Sequence, residues 1–134
     1  MPAVADTSRV RRVRRSEVEP FVTRDGSLIR ELMHPDRHGC VGQSLAEATV
    51  EAGARTVLHR HRKSEEFYHI LSGQGRMRLG DAVFTVIEGD TIAIPPGSAH
   101  NIEAVGEGEL VFLCCCVPPY SHEDTELLEP GEGR

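Results

Sequence analysis

The sequence has no tryptophan, two tyrosines and four phenylalanines, so aromatic surface is scarce. A site that grips sugars or unpaired bases by stacking draws on more than that. Nor does any apolar run reach membrane-spanning length, the longest, Leu110 to Val117, being no longer than a strand. No early stretch resembles a signal peptide, because MPAVADTSRV leads straight into arginines. Excess positive charge is missing too: the formal net charge is −6, which argues against nucleic acid as a partner. The four cysteines do not suggest a disulfide framework. Three of them, Cys114, Cys115 and Cys116, are consecutive, and neighbours on a strand point to opposite faces. Reduced thiols in a cytoplasmic protein, with no membrane partner, are the expectation.

What is there is enough for one domain: 134 residues can bury a real core. No segment carries a sustained 3.6-residue apolar period. Short apolar runs alternate with turn chemistry instead. Phe21–Thr23 precedes an Asp25-Gly26 turn, and Leu28–Met33, readable as strand or one helical turn, follows. Further strands are predicted at 44–50, 56–61, 66–71, 76–79, 83–87, 91–94, 100–105 and 110–117. Ser72-Gly73, Gly80-Asp81, Gly89-Asp90, Pro95-Pro96-Gly97 and Gly106-Glu107-Gly108 punctuate them. That rhythm predicts an all-β antiparallel sandwich or barrel over 19–118. Residues 1–18, with five arginines from Arg9 to Arg15, are expected to form a flexible basic arm. Residues 119–134 read as an acidic tail that could pair with that arm across a dimer.

Chemistry concentrates in two short blocks. His59 and His61 are two apart on a predicted strand, so both imidazoles leave one face. Glu66 opens the next strand, within reach of a hairpin, and His100 follows the Pro95–Gly97 turn. Three imidazoles and a carboxylate suit a single divalent transition metal (Fe, Mn, Ni, Co or Zn). Four protein ligands leave two positions of an octahedral ion open. A His-x-His pair alone is weak, since most such pairs sit on surfaces.

The surrounding spacing is more specific. Gly53, His59, His61, Glu66 and Gly73 match G-x5-H-x-H-x3–4-E-x6-G, and Gly89, Pro95, Gly97 and His100 match G-x5-P-x-G-x2-H-x3-N. These are the two motifs of the cupin superfamily, which the chain resembles. One position departs: Ala104 stands where the second motif ends in Asn. The resemblance implies a double-stranded β-helix, a metal on His59, His61, Glu66 and His100, and commonly a homodimer. Glu65 competes with Glu66 as ligand, but the six-residue step to Gly73 starts at Glu66.

Strand parity predicts the metal's neighbours. Val57 shares a face with His59, Tyr68 and Ile70 with Glu66, and Ile102 with His100; Met77 and Leu79 are expected to add to the wall. The pocket should be apolar, with Tyr68 as candidate proton donor, and should take a small-molecule substrate or ligand. No second general base is evident beside the metal. The preferred reading is a metal-dependent enzyme of isomerase, lyase/cyclase or dioxygenase type. The alternative is a non-catalytic binding or sensing module. For Cys114–Cys116 a role as small buried hydrophobes is favoured over a functional thiol. The segment holding Tyr120 and His122 could fold over a barrel mouth.

Overall fold

A computed structural model describes residues 10–130. The arm's residues 1–9 and the tail's residues 131–134 lie outside the described residues. The chain runs β1 (Phe21–Val22), β2 (Leu28–Met33), α1 (Pro35–His38), β3 (Ser44–Val50), β4 (His59–His61) and β5 (Glu65–Ser72). It continues with β6 (Gln74–Leu79), β7 (Ala82–Ile87), β8 (Thr91–Ile94), β9 (His100–Val105), β10 (Leu110–Val117) and β11 (Thr125–Leu127). Leu28–Met33 is thus a strand.

Two antiparallel sheets face each other, in the orders β1-β2-β3-β10-β5-β8 and β11-β4-β9-β6-β7. Strands β5, β6 and β9 alternate, with one face going inward. On β5 Glu66, Tyr68 and Ile70 are buried, while Glu65, Phe67 and Leu71 are exposed. Ile70, Met77, Ile94, Ile102, Leu110 and Phe112 make the centre of the core. Full burial of one such side chain contributes about 1.5–3 kcal/mol. The turns are as tight as their glycines allow: Gly73 has φ +86°, and a Cβ there would strike the carbonyl of Glu109.

Strand pairing continues past residue 118. Thr125 pairs with His61 and Leu127 with His59, so β11 covers the free edge of β4. Two acidic residues of this segment pair with arginines of the barrel. Glu126 binds Arg60 and Arg62, and Glu129 binds Arg55. In the arm, Arg15 binds Glu47 on β3 at 2.8 Å. Among the described residues no helix is long and apolar enough to cross a membrane.

Candidate metal centre

β4 carries His59 and His61 inward, and its one register pair with β9 sets His59 against His100. Glu66 comes from β5 in the opposite sheet. The Pro95–Gly97 turn is pinned to β4, because Gly97 N donates to the carbonyl of His61 at 2.6 Å. The two sequence blocks therefore meet. One ligand atom from each of His59, His61, Glu66 and His100 lies within 4.8 Å of the others, and all four residues are buried. Glu65 is exposed.

The hydrogen bonds around the rings fix which nitrogen faces inward. The carbonyls of Val57 and Ser98 can only accept, so His59 Nδ1 (2.7 Å) and His100 Nδ1 (2.9 Å) carry protons. Thr125 donates its hydroxyl proton to Ser121 O and so accepts from His61 Nδ1 at 2.9 Å. Every Nε2 then turns to the centre. His100 Nε2 is buried with no hydrogen-bond partner, 3.3 Å from Glu66 Oε1. An orphaned imidazole nitrogen facing a buried carboxylate is what a divalent ion would satisfy, so the residues fit a metal.

The charge states agree with that fit. Burial, helped by His100, pushes the His59 imidazole down to about 4. Burial would raise the Glu66 carboxyl, but His100 and His61 outweigh it and hold it well below the usual carboxylate range. Burial would also lower His61, yet its 3.1 Å contact with Glu66 wins and raises it. That contact favours a proton on His61 Nε2, facing Glu66.

A cavity of about 60 Å³ opens from this centre between β2, β3, β10 and the tail. That is room for several waters, far below the ~300 Å³ typical of drug-sized ligands. Of the residues expected on its wall, Tyr68 is there; its ring packs against Phe112 at 4.5 Å and stands edge-on to His100. Burial, then the charge of Glu66, pushes its phenol well up, so it stays protonated. Ile70, Ile102 and Met77 are not on the wall. They fill the packed core deeper in the barrel, with Leu79 against it. Val57 precedes β4 and acts through its backbone, donating to Asp25 O at 2.8 Å and accepting from His59.

The wall holds residues that strand parity did not reach. Asp25, in the turn between β1 and β2, puts Oδ2 3.8 Å from His59 Nε2, while Oδ1 accepts from Ser27 N and Oγ. Tyr120 lines the cavity, edge-on to His61, with its hydroxyl 2.9 Å from His122 Nδ1. Cys114 and Cys116 line the cavity, and Cys116 donates to Glu66 Oε2 at 3.3 Å. Burial, then Glu66, raises that thiol, so it stays protonated. The Asp25-Gly26 turn was visible in the sequence, but nothing there placed it at the metal.

A family model for the cupin domain matches residues 46–116, which span both blocks and the strands that carry them. The chain belongs to the cupin family. Among this cupin's relatives, an uncharacterised protein of Methanocaldococcus jannaschii is 51% identical over 92% of this chain and 98% of its own. The polyketide synthase CurC of Streptomyces cyaneus is 31% identical over 90% of this chain and 81% of its own. Among solved structures, a predicted oxalate decarboxylase from Thermotoga maritima superposes with a TM-score of 0.69. It is 25% identical and covers 79% of this cupin and 97% of its own chain.

Proposed function

We propose that this cupin is a metal-dependent enzyme that moves a proton within a small organic molecule, in isomerase or lyase chemistry. The observation that carries this reading is Asp25, a carboxylate on the cavity wall 3.8 Å from the nitrogen that His59 turns to the centre. A binding module needs ligands for its metal; it has no need of a poised base beside them. His59, His61, Glu66 and His100 would hold one divalent ion (Fe, Mn, Ni, Co or Zn), which would polarise an oxygen of the substrate. Asp25 is the proton acceptor. Ser27 N and Oγ hold its Oδ1, while Oδ2 stands 3.8 Å from His59 Nε2. Tyr68, held protonated by burial, is the candidate donor on the same wall. Tyr120 adds a further hydroxyl-bearing ring to the cavity wall.

The relatives fit this reading, since a polyketide synthase and a predicted oxalate decarboxylase are both named as enzymes. The test is metal analysis of protein purified without a metal-binding tag, beside His59→Ala and His100→Ala. We expect about one equivalent in the wild type and none in either variant. A wild type that stays empty with added metal would sink the reading.

We also assign a second copy of the chain to the outer face of the six-stranded sheet. Phe67 and Leu71 of β5 and Val117 of β10 are exposed there, Phe67 by 46%. A monomer in sedimentation velocity would remove that assignment. The free cysteines Cys40, Cys114, Cys115 and Cys116 fit a reducing, cytoplasmic setting, which cell fractionation would check.

A further inference from the structure

Two features of the cavity restrict what can enter it. The first is size, about 60 Å³. The second is charge. Among the described residues no lysine or arginine lines the cavity, whereas Asp25 and Glu31 do, beside the ligand Glu66. Arg24, next to Asp25 in sequence, spends its guanidinium on the carbonyls of His122 and Thr125 in the tail. Arg37 does not line the cavity but pairs with Glu31 at 3.8 Å. The remaining polar groups of the wall are neutral hydroxyls such as Thr23, Ser27 and Tyr120.

From this wall we infer that the site selects an uncharged substrate, a neutral carbonyl compound of a few heavy atoms, and discriminates against carboxylate anions. The inference rests on the metal-dependent reading above. With Glu31 paired to Arg37, Glu66 and Asp25 together match the two charges of a divalent ion. A neutral molecule therefore enters a balanced site, while an anion meets Asp25 with no cation on the wall to offset it. A neutral ligand also leaves the ion's field for charge that develops only as the proton moves to Asp25. The role of Asp25 is then double: proton acceptor, and the charge that screens out acids. Similarity to an oxalate decarboxylase would lead to the opposite expectation.

The test uses three planar probes of one skeleton: oxalate, oxamate and oxamide, with charges of −2, −1 and 0. Each is titrated into cobalt(II)-loaded protein and followed by visible absorption, with cobalt content measured beforehand. Absolute affinities also reflect each probe's intrinsic chelating strength, so the readout is the change on Asp25→Asn. Oxalate should tighten by about tenfold or more, oxamate by less, and oxamide should stay within about twofold. Glu31→Gln should shift the series the same way by a smaller factor. Oxalate affinity that is unchanged or weaker in Asp25→Asn overturns the inference. Loss of cobalt from that variant also overturns it, because Asp25 would then be a ligand. A wild type that takes up no cobalt is seen before any probe is added, and it strikes the metal reading instead.

Discussion

Along β5, β9 and β10 a single inward face does two kinds of work. At one end it carries Glu66, His100 and Cys116 around the metal centre; at the other it carries Ile70, Ile102, Ala104 and Leu110 in the packed core. Two residues along a strand, about 7 Å, separate His100 from Ile102. Nothing in the alternation marks where one region ends. The closed end is filled by side chains from both sheets. The open end is held apart by hydrogen-bonded histidines, and β1, β2 and the tail complete it. Core contacts should therefore govern stability, and the shell around the imidazoles should govern metal binding, with little exchange between the two.

Four substitutions at three positions test that separation. The largest expected effect is in the closed end. Leu110→Ala should lower unfolding free energy by about 2–5 kcal/mol while leaving metal stoichiometry at one, as read by urea melts and elemental analysis. A simultaneous loss of metal would show that the two ends are not separable. In the open end, Thr125→Val removes the acceptor for His61 Nδ1 and should weaken metal binding by about 10- to 100-fold. Thr125→Ser should restore it, and competition with a metal-responsive dye measures both; equal affinities in all three proteins would mean the tail orients nothing. The smallest effect is expected outside both ends. Arg62→Ala breaks an exposed pair with Glu126 and should leave melting midpoint and metal affinity unchanged within error.

Acid offers a further check on the open end. Glu66 raises His61 against the effect of burial, which favours a proton there in competition with the metal. Uptake should release protons near neutral pH, and affinity should fall as pH drops, measurable with an indicator in weak buffer. Uptake without proton release would mean that His61 is already neutral.

Much of this was legible from the residues. The two spaced blocks named His59, His61, Glu66 and His100, and turn chemistry at Gly73 or Gly89 bounded most strands to within a residue or two. Face was legible because side chains alternate with period two. Depth was not. Ile70, Ile102 and Met77 were expected on the cavity wall because parity carries no information about position along the barrel. Val57 left the pattern for another reason: the segment before β4 gives its backbone to Asp25 and Ile102, not to one regular partner strand.

The sequence by itself determined the family, the four inward candidate ligands and the all-β architecture, because these rest on short-range spacing and on local backbone preference. Tertiary structure alone decided that Asp25 from an early turn, and Thr125 and Tyr120 from the late segment, share the cavity of the candidate metal site. Those residues lie far from both blocks in the chain, in polar stretches without periodicity. Only the closing of one sheet over the other, with β11 on the edge of β4, brings them within a few ångströms of the imidazoles.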